Sequence, residues 1–379
     1  MPRSFGLIEL HSPIGASSMY RWKNCPGSVN LCKGIRSISS SYAEEGTRAH
    51  ELAAKILNGA DPNQVSDNAE MLQSVIVYTD AVFQEKRNLD YSYNGNLFLV
   101  EHGFKLTQIH EQAFGTADCV IYDVKRKKLT VFDYKHGAGI SVEVEENDQL
   151  LYYALGAMLS LNLSPKSVEI KIVQPRCPHP DGVIRSYQFE GVRILDFYSD
   201  LELAVARTQK PNAQLRAGAW CRFCPGAGVC PEIKSNAQLT AKKVFQENTL
   251  YDPQDLSDTL EKLPQMEAFI SAVREFAYTE AMRGRLPPGW KLVQKRPTRK
   301  WIDESAAYTA VVSTVGEKAL EPQSLLSPAK LEKVIGQKEM LAFKNLIENK
   351  SSGFKLAKVD EPGEPIMLDA KSVFEKLTE

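Results

Sequence analysis

Apolar and polar positions follow two distinct periods along this chain, and these periods predict most of its elements. Between residues 41 and 57 apolar side chains recur every three to four positions, which is typical of an amphipathic helix that ends at Asn58-Gly59. Residues 67–86 show the same period and predict a second helix. Shorter stretches with the character of strands follow at residues 97–101, 104–107, 117–123 and 129–134.

The next part of the chain continues the mixture of helices and strands. The basic turn at residues 125–128 joins the last two of the strand-like stretches, so we expect a hairpin there. Further elements are predicted at residues 147–161 (helix), 167–174 (strand), 183–189 (strand) and 192–208 (helix). This order is that of an α/β core with a mixed central sheet flanked by helices.

The character of the chain changes after residue 235. Residues 236–285 and 325–349 carry a mainly helical pattern, and a short strand-like piece lies between them. We therefore expect two domains. Residues 1–235 form the α/β core, and residues 240–379 form a mostly helical C-terminal appendage.

Composition narrows the class of protein. Of the 379 residues, 43% are hydrophobic and 25% are charged, as in a soluble globular protein. No apolar run is long enough to span a bilayer, and the start of the chain does not resemble an export signal, so we expect a cytoplasmic protein of a bacterial or phage-infected cell. The formal net charge of −1 means that nucleic acid would have to bind a local basic surface.

Two acidic residues and a lysine stand at the ends of neighbouring predicted strands. Asp118 ends Gly-Thr-Ala-Asp, and Asp133 begins Asp-Tyr-Lys after the hairpin turn. Lys135 lies two positions after Asp133, so both side chains point to the same face of the sheet. Hydrolysis of a phosphodiester needs oxygen ligands for Mg²⁺ or Mn²⁺ and a group that activates water. The pattern therefore predicts a metal-dependent nuclease.

Three further residues complete an ordered set of polar positions. Gln149 and Tyr153 are spaced i and i+4, so they share one face of the predicted helix that follows. His50, in Gly-Thr-Arg-Ala-His, lies beside the apolar stripe of the first helix, where an imidazole could complete the coordination of the metal. Each position alone is common in proteins without such a site, and it is their order along the chain that favours the nuclease.

Four cysteines predict a cofactor. Cys221, Cys224 and Cys230 have the spacing C-x₂-C-x₅-C in a loop rich in proline and glycine, and Cys25 stands far upstream in a turn-prone setting. Seven cysteines in all do not resemble a disulfide framework, so ligation in a reducing compartment fits better. The group could be an iron–sulfur cluster or a structural Zn²⁺, and a zinc-stabilised regulatory protein is one interpretation. Cys32 is close enough to substitute for Cys25.

These motifs together resemble the RecB-like branch of the PD-(D/E)XK nuclease superfamily, in particular its iron–sulfur members and phage-encoded proteins. Those members include AddB-type helicase–nuclease subunits and CRISPR-associated RecB-like exonucleases. The resemblance covers about residues 15–235 and includes Gln174-Pro175-Arg176 after a strand. It implies a restriction-endonuclease-like fold and an exonuclease that acts on DNA ends or single strands. The recombination, repair or phage setting is left open, as is the role of residues 240–379.

The resemblance also assigns roles to residues. It implies that the metal is held by His50, Asp118, Asp133 and the carbonyl of Tyr134. It implies that the catalytic set is Lys135, Asp118, Asp133, Gln149 and Tyr153. It implies that a mainly structural [4Fe–4S] cluster is held by Cys25, Cys221, Cys224 and Cys230.

One basic segment allows two interpretations. Residues 290–301 carry five lysines and arginines and have Trp290 and Trp301 at their ends. Such a segment could follow a phosphate backbone and stack bases, or it could be a solvated hairpin whose tryptophans pack inward. The alternative to an enzyme is a non-catalytic DNA-binding or assembly protein that docks a protein partner through residues 240–379.

Overall fold

The computed structural model describes residues 12–35, 41–65, 68–244, 253–321, 324–351 and 353–366. The chain divides into two compact units, one up to Ile270 and one from Ser271 onward. The predicted domain boundary between residues 235 and 240 falls inside helix α8 (Pro231–Val244). None of the helices in the described ranges combines the length and the apolar character needed to cross a bilayer.

The centre of the first unit is a five-stranded mixed sheet. Its strands are β1 (Leu97–Lys105), β2 (Phe114–Asp123), β3 (Lys128–Tyr134), β4 (Ser167–Val173) and β5 (Ile184–Glu190), and they lie in that order across the sheet. All neighbouring pairs are antiparallel except β3 and β4, which run parallel. A parallel pair needs a crossover, and a helix supplies it here. The α/β core with a mixed sheet flanked by helices is thereby confirmed.

Helices cover both faces of this sheet. The helices of the first unit are α1 (Met19–Asn24), α2 (Ser28–Leu31), α3 (Ser41–Leu57), α4 (Pro62–Val65), α5 (Ala69–Arg87), α6 (Asp148–Ser160), α7 (Arg193–Thr208) and α8. The 30-residue helix α9 (Pro253–Met282) spans the division between the units. Short 3₁₀ turns occur at Ala16–Ser18, Ala219–Phe223 and Ala227–Val229.

Two hydrophobic clusters hold the layers together. One contains α1, α6 and α7 side chains, with the fully buried Trp22 and Leu150 among them, against one face of the sheet. The other joins α3 and α5 to the opposite face through residues such as Val75 and Phe132. Strand β3 is buried from Leu129 to its end because it lies at the middle of the sheet and contacts both layers.

One predicted break in the sheet does not exist. The sequence predicts residues 97–101 and 104–107 as two separate strands. In the structure they form the single strand β1, and pairing with β2 continues through Gly103 and Phe104. The backbone of β1 is irregular at Glu101, where a φ of 50° gives a left-handed conformation inside the strand.

The second unit combines helices with short antiparallel strand pairs. Its elements are β6 (Trp290–Gln294), β7 (Thr298–Trp301), α10 (Glu304–Val315), β8 (Leu320–Glu321), β9 (Ser324–Leu325), α11 (Pro328–Ile335), α12 (Gln337–Met340), β10 (Ile347–Lys350) and β11 (Phe354–Lys358). Two 3₁₀ segments lie at Gly316–Ala319 and Leu341–Leu346. Trp301, Val311, Leu331 and Phe343 belong to its core.

The predicted helix over residues 325–349 is wrong as one element. Gly336 has a φ of 85°, which L side chains rarely adopt, so α11 ends there and α12 is a separate helix. The last part of the stretch is the strand β10. Of the predicted helical region 236–285, residues 245–252 lie outside the described ranges.

Candidate metal and acid–base site

The site begins in the hairpin of β2 and β3. Asp118 is buried in the middle of β2, and one of its carboxylate oxygens accepts a hydrogen bond of 2.7 Å from the backbone N–H of Tyr134. That bond ties the carboxylate to the last residue of β3. Asp133 is only 2% exposed, and Lys135 follows directly after the strand. The hairpin therefore brings both predicted aspartates and the lysine to the same part of the sheet.

A group of three side chains could hold a metal ion. Ligand atoms of His50, Glu101 and Asp118 all lie within 4.8 Å of one another, and no other three histidine, cysteine or acidic residues in the described ranges come as close. His50 reaches the group from α3, and its Nδ1 lies 3.2 Å from Oδ1 of Asp118. An imidazole with two carboxylates is a donor set that divalent metals accept.

The electrostatics of His50 show how strongly negative this group is. Burial opposes a charge on the imidazole, yet the carboxylates of Asp118 and Asp133 outweigh it and raise the pKa of His50 to about 9. A cation is therefore favoured here.

Glu101 is the member of the group that the sequence did not predict. The β1–β2 ladder places Val100 opposite Cys119 and His102 opposite Ala117, so Glu101 stands opposite Asp118. Desolvation of its carboxyl and the charge of Asp118 raise the pKa of Glu101 to about 7, while His50 opposes the shift. A left-handed glutamate in a strand is uncommon, and such outliers persist where the surroundings fix them.

Asp133 and Lys135 form a second part of the site. The Lys135 ammonium lies 2.7 Å from Oδ2 of Asp133 and donates a 2.9 Å hydrogen bond to Oε1 of Gln149. The Gln149 amide nitrogen donates to Oδ1 of Asp133 at 3.1 Å and to the hydroxyl of Tyr153 at 2.8 Å. Four side chains, from the end of β3, the residue that follows it and α6, thus form one connected network. Burial is the main reason that the pKa of Asp133 is raised, despite Lys135.

The start of α6 sets the position of Gln149. The side chain of Asn147 accepts hydrogen bonds from the N–H groups of Gln149 and Leu150, so it is the N-cap of this helix. Asp148 in the first turn forms an ion pair of 2.6 Å with Lys23. The cap fixes where the helix begins, and Gln149 is consequently held in the first turn, facing β3.

Aromatic and charged residues line the side of the site next to α3. The ring of Tyr134 stacks on Tyr78 at 4.9 Å and lies 5.4 Å from the imidazole of His50. The Tyr134 hydroxyl is 2.8 Å from Nδ1 of the buried His136. Arg176 then contacts Nε2 of His136 at 2.7 Å. The ring of Tyr134 therefore fixes one wall of the site, and the proposed use of its carbonyl as a ligand stays a prediction.

Gln174 has a structural position. Its amide nitrogen donates to the carbonyls of Gly137 and Ile140, and its oxygen accepts from the N–H of Val142 and from Arg185. These bonds hold the loop that follows Lys135. Gln174 is 2% exposed and satisfies the polar backbone of this loop.

The structure brings some predicted residues together more closely than others. His50 and Asp118 are in direct contact, and Lys135, Gln149 and Tyr153 are linked to Asp133. Glu101 is the third member of the close ligand group with His50 and Asp118. Asp133 contacts Lys135 and Gln149 instead.

The cysteines come from both ends of the first unit. The Cys25 sulfur accepts a 3.3 Å hydrogen bond from the N–H of Arg216, and the Cys221 sulfur accepts one of 3.4 Å from Gly218. The sulfurs of Cys32 and Cys224 lie 3.7 Å apart. In the described part of the chain, no three cysteine sulfurs lie within 4.8 Å of one another. The iron–sulfur cluster stays a prediction.

The fold and the site define a mixed α/β protein with a His/Glu/Asp group that could hold a metal ion. The chain belongs to the family described as a protein of unknown function, DUF2800, whose model matches residues 11–363.

Two solved structures show a distant likeness. The crystal structure of SSO0001 is 16% identical, with a TM-score of 0.25, and the match covers 59% of this chain and 89% of that one. The crystal structure of an alkaline exonuclease, LHK-Exo from Laribacter hongkongensis, is 12% identical, with a TM-score of 0.23, and the match covers 50% and 90%. At these TM-scores neither likeness carries an argument about chemistry, which rests on the side chains of the site.

Proposed function

We propose that this protein is a metal-dependent deoxyribonuclease of the PD-(D/E)XK type, with a restriction-endonuclease-like core of the RecB-like branch. The main support for the proposal is that two groups of side chains lie next to each other. The ligand group of His50, Glu101 and Asp118 lies next to a network in which Asp133 and Gln149 hold one lysine. Phosphodiester hydrolysis needs both a metal site and a positioned acid–base or electrostatic group.

The donor atoms fit a divalent cation of the Mg²⁺ or Mn²⁺ kind. His50, Glu101 and Asp118 would hold it, with Asp133 and the Tyr134 carbonyl as further ligands. Carboxylate oxygens dominate this set, and they are the ligands that both ions prefer. A bound ion would supply Lewis-acid stabilisation of the phosphate and would lower the pKa of a coordinated water.

Lys135 has the main protein role in this mechanism. Asp133 and Gln149 both contact its ammonium, so the positive charge is held at one place without a cost of reorganisation during the reaction. There it would stabilise the negative charge that grows on the phosphate, or hold the attacking water. Tyr153 accepts from the Gln149 amide and fixes the orientation of that amide.

We also propose that Cys25, Cys221, Cys224 and Cys230 hold a mainly structural [4Fe–4S] cluster. Backbone N–H groups point at the sulfurs of Cys25 and Cys221, as suits thiolates that ligate a cluster. The alternative is a structural Zn²⁺ held by the same four thiolates, and iron and zinc contents of the pure protein distinguish the two.

The nuclease proposal is tested with labelled single-stranded and duplex DNA in the presence and absence of Mg²⁺ or Mn²⁺. We expect degradation that needs the metal and is abolished in Asp133→Asn and in Lys135→Ala. A matched control exists in the surface ion pair of Lys125 and Asp90, whose charged atoms lie 2.8 Å apart. Asp90→Asn and Lys125→Ala should cleave like the wild type.

Two results would contradict the proposal. One is cleavage by Lys135→Ala at the rate of the wild type. The other is the absence of metal-dependent cleavage by a folded wild-type protein on every DNA substrate. The second result would favour the non-catalytic DNA-binding or assembly protein.

A further inference from the structure

In the second unit, strands β6 and β7 pair with strands β11 and β10 in one common register. Strand β6 pairs with β11, where Trp290 faces Lys358, and β7 pairs with β10, where Trp301 faces Ile347. From one pair to the other, each step forward along residues 290–301 is matched by one step back along residues 347–358, so the register is the same in both. The two short strand pairs are therefore parts of one antiparallel ladder.

Hydrogen bonds outside the assigned strands follow the same register. The N–H of Lys295 donates to the carbonyl of Gly353 at 2.8 Å, in the interruption between the two pairs. The N–H of Ile302 donates to the Leu346 carbonyl at 2.8 Å, one step beyond the end of the ladder. Residues 290–301 thus pair with the described residues of 347–358 in a single two-stranded unit, which we call the basic ribbon.

Positive charge in the second unit is concentrated on this ribbon. Its two arms contain eight lysines and arginines and one acidic residue, Glu348. The rest of the chain from residue 271 contains ten basic and fourteen acidic residues. Each arm has twelve residues, so the ribbon is about 35 Å long at the rise of an extended strand. This is an extended basic strip in an otherwise acidic part of the chain.

The register decides which side chains of β7 and β10 face outward. Trp301 is 9% exposed and donates from its indole N–H to the Leu326 carbonyl at 3.0 Å, and Arg299 on the same face pairs with Glu332. This face therefore packs on the core of the unit. Lys300 and Lys350 belong to the opposite face, because side chains alternate along a strand, and both are exposed.

The other end of the ribbon presents an aromatic ring. Trp290 is 40% exposed, and it faces the exposed Lys358 across the ladder. Lys295 and Arg296, in the interruption of the ladder, are also exposed. Exposed aromatic rings beside a row of cations are the two components with which proteins bind single-stranded nucleic acid.

We propose that the basic ribbon is a binding surface for single-stranded nucleic acid. Arg296, Lys300 and Lys350 contact phosphates, and Trp290 stacks on a base. The ribbon lies wholly in the second unit, and the proposal does not depend on the nuclease function of the first. A nucleic-acid backbone fits better than a compact anion, because the charges are spread along two strands.

The test measures binding of a fluorescein-labelled oligonucleotide to the full chain by fluorescence anisotropy, in EDTA so that no cleavage occurs. The variant Arg296→Gln/Lys300→Gln/Lys350→Gln removes three phosphate contacts. We expect its affinity to fall at least about tenfold. We also expect the slope of log K against log salt concentration to become shallower by about 2, because each contact to a single strand contributes about 0.7.

The matched control changes the same number of charges elsewhere in the unit. Lys318, Lys333 and Lys338 are exposed and lie off the ribbon, and their replacement by glutamine should leave affinity and slope unchanged. Circular dichroism of each variant confirms that the fold is retained. Equal loss of affinity in the control and ribbon variants would mean a diffuse charge effect, and the proposal would be wrong.

The role of Trp290 is tested with two ligands of equal charge. Trp290→Ala should weaken binding of the normal oligonucleotide about fivefold or more and leave binding of an abasic oligonucleotide unchanged. Unchanged affinity for the normal strand would overturn the stacking contact. Tighter binding of polyglutamate than of the oligonucleotide at the same salt concentration would identify an acidic protein as the partner and refute the proposal.

Discussion

Glu101 gives the sharpest test of the electrostatics of the site. Replacing it with glutamine keeps the size of the side chain and its left-handed backbone but removes one negative charge opposite Asp118. We expect the Glu101→Gln variant to be more stable than the wild type at about pH 8 when no metal is present. The reason is that the ionised carboxylate is unfavourable beside its neighbour.

The magnitude follows from the pKa. The pKa of Glu101 is raised from 4.5 to about 7 in the folded protein. A carboxyl group with a raised pKa contributes stability that is lost as the pH rises from the unfolded to the folded value, here from 4.5 to about 7. The difference between these two pKa values corresponds to about 3 kcal/mol of folding free energy. Because Glu101 is exposed, solvent screening reduces the expected gain in stability to about 1 kcal/mol.

The assay is urea unfolding in EDTA, followed by tryptophan fluorescence, in which the fully buried Trp22 reports on the unit that contains the site. The free energy of unfolding is compared at about pH 5 and about pH 8. The stabilisation in Glu101→Gln should appear at the higher pH and shrink at the lower one. Glu111→Gln, an exposed glutamate between β1 and β2, is the matched control and should show no such difference.

Added Mg²⁺ should reverse the order. An ion held by Glu101 stabilises the folded wild type by mass action, and the variant loses a ligand and gains less from the ion. A variant that is no more stable than the wild type at about pH 8 in EDTA would refute the electrostatic argument. Equal stabilisation of both proteins by Mg²⁺ would remove Glu101 from the ligand group.

Three other changes have defined outcomes. His50→Gln should flatten the fall in stability between pH 6.5 and about 9 in EDTA urea titrations, because the raised pKa makes charged His50 stabilising below that range and the contribution is lost through it. Gln149→Ala should lower kcat for DNA cleavage about 10²-fold with little change in KM, measured in steady state, because Lys135 loses one of its two anchors. Cys224→Ser should lower bound iron after anaerobic purification far more than Cys32→Ser does.

The elements of the core could be predicted from sequence because local signals and burial agree there. The predicted helix over residues 147–161 is α6, and its start coincides with the Asn147 cap. The hairpin of β2 and β3 was visible from its basic turn. The segment 325–349 was not predictable in the same way, because one glycine with a left-handed backbone outweighs a helical pattern on both of its sides.

The site was only partly predictable. Residues two or four positions apart, such as Gln149 and Tyr153, share a face by local geometry, and their contact could be expected. Glu101 could not be found in this way, because its place opposite Asp118 depends on the register of two strands and on an unusual φ. The tryptophans at residues 290 and 301 likewise differ in exposure because of pairing that a sequence pattern does not contain.

Gly156, which has no functional group, helps to set the geometry of the network around Lys135. A Cβ at Gly156 would lie 2.3 Å from the ring of Phe104, so only glycine lets that ring lie against α6. Phe104 in turn makes an edge-to-face contact with Tyr153, whose hydroxyl orients Gln149 and, through it, Lys135. Glycine inside a helix costs about 1 kcal/mol relative to alanine. The fold accepts that cost where the helix carrying the network must approach the sheet closely.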